Sequence, residues 1–228
     1  MQRTLVAIGT HDLDTVQGPF VYDAKPPTDI EFKPLTHENE SFNAKALMDL
    51  YLNDASCKHL KPYVPIIYDA PNYPVIQDSN GVVLSLPPII NGDHSKITLD
   101  TKNVFIECTA TDLTKANIVL DTVVTMFSEY CSEPFTVEPV DVSYENAEQS
   151  QGYVSPEMFK RTETAGVDFI NSIIGINLSA QEMVTLCEKI QLGPAKLIDN
   201  DTVLEVTVPP TRSDILHAVD IAEDIGEY

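Results

Sequence analysis

The sequence predicts an α+β chain in two parts. A mixed-sheet domain spans residues 1–150, and a small winged-helix-like α/β module spans 151–228. Three observations carry this. Short alternating or continuous apolar runs, as in "NVFIECT" (103–109), have the two-residue period of strands. They are interleaved with stripes at helical spacing. A polar, acidic, proline-bearing stretch, "SEPFTVEPVDVSYENAEQSQGYVSP" (132–156), then separates the parts and places a boundary near residue 150.

The elements follow in order. "TLVAI" (4–8) reads as a buried strand stopped by Gly9, with a polar loop through "THDLDTVQGPF". The abrupt entry into that strand suggests a chain cut from a longer one. In residues 41–55, Ala44, Leu47, Met48, Tyr51, Leu52 and Ala55 form one helical stripe. "YPVIQ" (73–77) and "VVLSL" (82–86) are strands around the turn "DSNG". In 103–109, Val104, Ile106 and Cys108 share one face, and Phe105, Glu107 and Thr109 the other. Ala116, Val119, Leu120, Val123, Phe127, Tyr130 and Cys131 predict the longest helix, over 114–131. Within the boundary segment Val137, Val140 and Val142 give a last strand. In the second part "SAQE" (179–182) has capping-box spacing ahead of the stripe Met183, Leu186, Cys187 and Ile190, and Gly193-Pro194 ends that helix. "AKLI" and "TVLEVTV" flank Asp199-Asn200-Asp201 as a hairpin. A closing helix carries Ile215, Ala218, Val219 and Ala222.

Composition narrows the function classes. Of 228 residues, 43% are hydrophobic and 21% charged, as in globular proteins, and no apolar run approaches a membrane span. Fourteen basic residues face 35 acidic ones, for a net charge of −21. Polyanion binding rests on lysine and arginine, so this chain alone is not a strong RNA binder. Cys57, Cys108, Cys131 and Cys187 are scattered and form no Cys-x-x-Cys, which points to reduced thiols in the cytosol. No phosphate-binding loop, dinucleotide fingerprint or Gly-x-Ser-x-Gly is present. His11-Asp12 stands without further ligand spacing and is weak support for a metal.

Three constellations stand out. In "NGVVLSLPPIINGDHSKI" (80–97), Pro87-Pro88 cannot donate to a sheet ladder, so the chain is expected to leave the sheet there as a stiff, extended segment. Ser85, Asn91, Asp93 and His94 would gather near one mouth; the alternative is an ordinary stiffened loop. Glu107 sits mid-strand beside Phe105, with Thr109 and Thr111 as hydroxyl neighbours. It is either a solvated strand face or a carboxylate in a partly apolar pocket. The third is acidic. On a helix phased from Ile215, Asp220, Glu223 and Asp224 share the outer face, with Asp214 at the helix start. With no lysine within a turn, each pair repels by roughly 2–3 kcal/mol at ~6 Å in an effective dielectric near 20. Either a solvated face, a hard cation or a basic partner follows.

The blocks "VAIGTHDLDT", "PVIQDSNGVVLSLPPIINGDHSKIT", "FIECTATD", "MFSEYC" and "VPPTRSDILHAVDIAEDIG" closely resemble, in order and over essentially the whole chain, the beta-subunit family of cytosolic phenylalanyl-tRNA synthetases. The resemblance implies an editing module followed by a winged-helix-like module, without the family's N-terminal segment or its C-terminal catalytic-like core. It implies an α2β2 cytoplasmic enzyme that uses ATP and Mg²⁺ on the alpha subunit to charge tRNA(Phe), with ATP not bound by this chain. The beta editing module hydrolyses Tyr-tRNA(Phe). Carried over by position, the editing pocket comprises Ile76, Asp78, Ser85, Pro87, Pro88, Asn91, His94, Glu107, Thr109 and Thr111. Glu107, often Asp in the family, would accept the tyrosyl hydroxyl. Asn91, Ser85, Thr109 and Thr111 would orient the ester and a water at the tRNA 3′ end. Asp214, Asp220, Glu223 and Asp224 match a magnesium site shared with the alpha subunit. The alternative is a module that has lost editing and only positions tRNA or assembles subunits.

Overall fold

The computed structural model describes residues 3–145 and 151–228. The chain divides into two compact units, residues 1–120 and 121–228. The class is α+β, with the strands distributed over several small antiparallel sheets.

In the first unit, β1 (Val6–Asp12) is followed by β2 (Val21–Lys25), β3 (Glu31–Phe32), β4 (Phe42–Asn43) and α1 (Ala44–Asn53). Then come β5 (Tyr73–Gln77), β6 (Val83–Leu86), β7 (Ile90–Asn91), β8 (Val104–Ala110) and the start of α2 (Leu113–Ser128). Asn43 caps α1 through the Ala46 N–H, and Ala44, Leu47, Met48 and Tyr51 are buried. These four are the first four positions of the expected stripe. They pack with Ile30, Leu60, Val64, Tyr73 and Val75 in the unit's core. The four-stranded sheet runs β2–β5–β6–β7, and β1 pairs with β8.

Three expectations are corrected here. β1 does not stop at Gly9 but continues through His11 and Asp12. Gly9 lies opposite Glu107, where a Cβ would sit 2.2 Å from a carboxylate oxygen, so the glycine makes room instead of ending the strand. Pro87-Pro88 does not lead into an extended segment. The pair turns the chain back, the Ile89 N–H donates to the Leu86 carbonyl, and Asn91 pairs with Ser85 in β7. α2 ends at Ser128, so Tyr130 and Cys131 fall beyond the helix and lose its phase; both are exposed.

In the second unit are β9 (Val140–Val142), β10 (Tyr153–Ser155), β11 (Arg161–Gly166), α3 (Val167–Ile174), α4 (Ala180–Lys189), β12 (Ala195–Ile198), β13 (Val203–Val208) and α5 (Ala218–Gly226). The Ser179–Glu182 capping box forms as the spacing predicts. The β12–β13 hairpin turns through Asp199, Asn200 and Asp201, all at positive φ, which Asn and Asp tolerate best after glycine. β11 and α3 escaped the sequence reading. β11, "RTETAG", carries polar side chains, and α3 is only eight residues long. α5 starts at Ala218, not at Ile215. Its buried stripe is therefore Ile221, Ala222 and Ile225, while Val219 is exposed.

Candidate functional site at the Glu107 strand face

The face of the β1–β8 ribbon that carries Phe105, Glu107 and Thr109 also carries His11, Gly9 and Ala7, their partners across the ladder. His11 is fully buried and the Glu107 side chain is only 9% exposed, so the face is covered. Phe105 stacks on Phe20 at 4.3 Å between ring centroids, closing one end. The opposite face meets α2, where the Cys108 thiol approaches the Ala116 carbonyl.

What covers Glu107 is the four-stranded sheet. Register places Tyr22, Ile76, Ser85 and Asn91 in one row across β2, β5, β6 and β7. Cross-strand partners project to the same side, so the row presents phenol, aliphatic, hydroxyl and amide groups together. The Ser85 hydroxyl donates to Glu107 Oε1 at 2.9 Å. Tyr22's phenol is held above its ordinary range by partial burial and by the Glu107 charge. The Cys108 thiol is pushed up to about 11 by burial and by Glu107, which leaves it protonated and a poor nucleophile.

His11 is the residue that sequence reasoning missed. Its Nδ1 shares a hydrogen bond with Ser95 Oγ at 2.8 Å, and its Nε2 lies 3.8 Å from Glu107 Oε1. Its i, i+2, i+4 spacing with Gly9 and Ala7 is the signal in the sequence, and a glycine that reads as a strand breaker masks it. His11 and Asp12 do not act as a dyad, because they point to opposite faces and Asp12 accepts from Thr101. Ser95 and His11 are a hydroxyl–imidazole pair, but Ser95 sits at Nδ1, on the other side of the ring from Glu107.

Two polar atoms in this cluster have no hydrogen-bond partner, His11 Nε2 and Glu107 Oε2. A buried carboxylate oxygen left bare costs about 1–3 kcal/mol or more, so a donor arriving there is strongly favoured.

The other expected residues divide. Ile76, Ser85 and Asn91 lie in the row, and Pro87 and Pro88 form the turn that brings Asn91 back beside Ser85. Thr109 shares Glu107's face, two residues on. Thr111 lies past the end of β8 and is exposed. Asp78 serves the chain instead. Burial would raise its carboxyl, but the N–H groups of Val82, Gln17 and Asn80 outweigh that and hold it below the usual range. His94 is exposed and its Nε2 meets the Thr15 carbonyl at 2.9 Å. A groove of about 370 Å³ takes in His94, Asp93, Lys33 and Val83 but not Glu107.

The acidic set of the second unit is organised by an arginine. Arg212 grips Asp214 through two nitrogens, at 2.6 and 3.0 Å, and also reaches Asp224 at 2.7 Å. Asp214 therefore pairs ahead of α5 instead of standing at its first turn. Asp220 Oδ2 accepts the N–H groups of Leu216 and His217, both at 2.7 Å, and caps the helix. The expected mutual repulsion is thus relieved by an arginine and two backbone donors. Glu223 is exposed. Among the described residues these four carboxylates do not gather within ligand distance of one another, and Arg212 and two backbone N–H groups already hold oxygens of three of them. As arranged, they do not fit a magnesium ion, which demands near-octahedral oxygen geometry.

The chain matches the B3/4 domain family over residues 1–132 and the tRNA synthetase B5 domain family over 164–227. It is 58% identical to the phenylalanine–tRNA ligase beta subunit of Caenorhabditis elegans, over 99% of this chain and 37% of that protein. The human beta subunit is 52% identical over 98% of this chain and 36% of its own length. The Arabidopsis thaliana protein, named as cytoplasmic, is 50% identical over 99% and 37%. Among solved structures, an N-terminal fragment of the phenylalanyl-tRNA synthetase beta subunit from Pyrococcus horikoshii superimposes with a TM-score of 0.81 at 31% identity. That match covers 98% of this chain and 59% of the fragment. The chain spans just over a third of the length of the curated relatives it matches.

Proposed function

This chain belongs to the phenylalanine–tRNA ligase beta-subunit family, and from that premise we propose that its first unit hydrolyses Tyr-tRNA(Phe) made in error. The observation that carries the reading is the unpartnered Glu107 Oε2, buried beside Ser85 and His11. A pocket built for phenylalanine cannot strongly reject an isostere that merely adds a hydroxyl, so the synthetic site leaks tyrosine. A second site with a bare carboxylate oxygen selects in the opposite sense. Tyrosine's hydroxyl supplies the missing donor, whereas phenylalanine leaves the oxygen bare.

In the reaction, a water adds to the ester carbonyl carbon, the bond from that carbon to the ribose oxygen breaks, and the ribose oxygen takes the proton. Ser85, Asn91 and Thr109, with Thr111 at the margin, hold the ester and water, and Ile76, Pro87 and Pro88 wall the ring. No accessible nucleophile–base pair lies in the row, and Cys108 stays protonated. A positioned water therefore suits these residues better than a covalent intermediate.

The larger assembly follows from the same premise. The whole enzyme is an α2β2 cytoplasmic ligase that charges tRNA(Phe) on its alpha subunit with ATP, and only the tRNA 3′ end enters this acidic chain. Magnesium at Asp214, Asp220, Glu223 and Asp224 rests on spacing alone and requires Arg212 to release two of them. The decisive experiment supplies preformed Tyr-tRNA(Phe) to the assembled enzyme bearing Glu107→Ala. Loss of deacylation with intact Phe-tRNA synthesis supports editing. Unchanged deacylation overturns it and leaves a module that positions tRNA or assembles subunits.

A further inference from the structure

A second cluster lies at the far end of α1, apart from the residues of the editing reading. His37, in the loop between β3 and β4, faces Asp54, the residue that ends α1, and Cys57, three positions later. One nitrogen, one oxygen and one sulfur of these side chains all lie within 4.8 Å of one another. We propose that His37, Asp54 and Cys57 form a three-ligand site for a divalent ion of the zinc class.

One edge of the cluster suits that ion, and the 4.8 Å spread leaves the sulfur within a small side-chain movement of it. Zinc bonds of about 2.0–2.3 Å to nitrogen, oxygen and sulfur set ligand atoms about 3.3–3.8 Å apart along the edges of a tetrahedron. His37 Nε2 and Asp54 Oδ2 are 3.7 Å apart. An ordinary ion pair with a hydrogen bond would close further. The outer partners are also in place. His37 Nδ1 meets Thr36 Oγ1 at 3.0 Å, and Thr36 in turn meets the buried Tyr51 hydroxyl at 2.6 Å. That chain orients the ring so that Nε2 is turned toward the cluster, as a metal-bound histidine requires. Asp54 Oδ1 is held by the Ser56 N–H at 2.8 Å, which leaves Oδ2 for the metal.

The donor set selects the ion. Thiolate and imidazole favour zinc-class metals over magnesium or calcium. Binding replaces the Cys57 S–H bond with a sulfur–metal bond and gives the proton to solvent. Cys57 is 2% exposed, while the His37 and Asp54 side chains are 23% and 28% exposed, so the fourth position opens to water. An ion here fastens the β3–β4 loop to the end of α1. The same loop and β3 supply Lys33, Ser41 and Phe32 to the groove that holds His94.

The test uses the 228-residue chain, stripped with EDTA and titrated with Co²⁺ and then Zn²⁺. The expected result is one ion per chain, a thiolate-to-cobalt charge-transfer band displaced by zinc, and a rise in melting temperature on adding zinc. Cys131→Ser, an exposed cysteine elsewhere, keeps the band. Cys57→Ser abolishes it. Cys57 is in the core, so circular dichroism checks that variant's fold, and the partly exposed His37→Asn decides independently by weakening zinc at least about tenfold. A folded wild-type chain without the band, or a band and zinc affinity that survive His37→Asn, overturns the proposal.

Discussion

Gly9→Ala is a single-methyl probe of the site. An added Cβ would stand 2.2 Å from Glu107 Oε1 and 2.6 Å from His11 Nε2. Ordinary contact lies beyond 3.4 Å, so the carboxylate must retreat by more than an ångström. That retreat breaks its 2.9 Å bond from Ser85, and His11, wholly buried, has no space to yield. Losing a hydrogen bond to a charged group costs about 1.5–3 kcal/mol and overpacking about 1–3 kcal/mol, partly the same event. Alanine in a strand returns about 0.5–1 kcal/mol through chain entropy. The net loss is about 2–3 kcal/mol. Urea unfolding of Gly9→Ala, Glu107→Ala and the double variant measures it. The double variant should cost at least about 1 kcal/mol less than the sum of the singles, because removing the carboxylate removes the main clash. If Gly9→Ala is as stable as the parent, or if the costs simply add, Glu107 does not occupy the space that the glycine leaves and the packing argument fails.

The remaining predictions concern binding, turnover, a cap and acid stability. Glu107→Ala should weaken tyrosine binding by about 1–3 kcal/mol and phenylalanine binding much less, measured by calorimetry; equal losses would remove Glu107 as the hydroxyl acceptor. Asn91→Ala should slow Tyr-tRNA(Phe) hydrolysis in the assembled enzyme and leave Phe-tRNA synthesis unchanged, and a matching fall in synthesis would make the residue structural. Asp220→Ala should lower the melting temperature, because the Leu216 and His217 N–H groups lose their acceptor, while Glu223→Gln stays near neutral; equal effects in thermal unfolding would remove the distinction. Asp78's carboxyl is lowered on folding, so its contribution is full above its unfolded value of about 4 and fades as pH falls through the folded value. Asp78→Asn should therefore be less stable than the parent at neutral pH, with the gap narrowing in acid; a gap constant from pH 7 to pH 2 contradicts the role of the three backbone donors.

The parts of the fold that follow local rules were legible. The α1 stripe, the Ser179–Glu182 box and the β12–β13 hairpin follow from spacing within ten residues or so, which is the range over which caps and periodicity act. What was not legible depended on partners far along the chain. Gly9 reads as a breaker unless Glu107 is known to lie opposite. His11 reads as a loop histidine unless Ser95 is known to lie beside it. Arg212 is hidden as a counter-ion because it lies in the turn before the helix, outside the helical stripe that carries the acids. The row of Ile76, Ser85 and Asn91 was half visible. Each residue was singled out by its motif, but only register shows that they line up.

β1 and β8 meet across about a hundred residues of chain, and such closure is slow compared with hairpin pairing. A ribosome makes that length in about 5–20 s. Throughout that time β1 exists with its pairing edge unmatched, because among the described residues no other strand forms a ladder with it. The hairpins β5–β6 and β6–β7 can close as soon as they emerge. The four-stranded sheet is thus available as a platform before Glu107 has been synthesised, and β8 arrives last, bringing the carboxylate to a Ser85 already in place. A nascent chain stalled before residue 104 carries the scaffold without its charge, and its first strand is open to capture by any other passing edge.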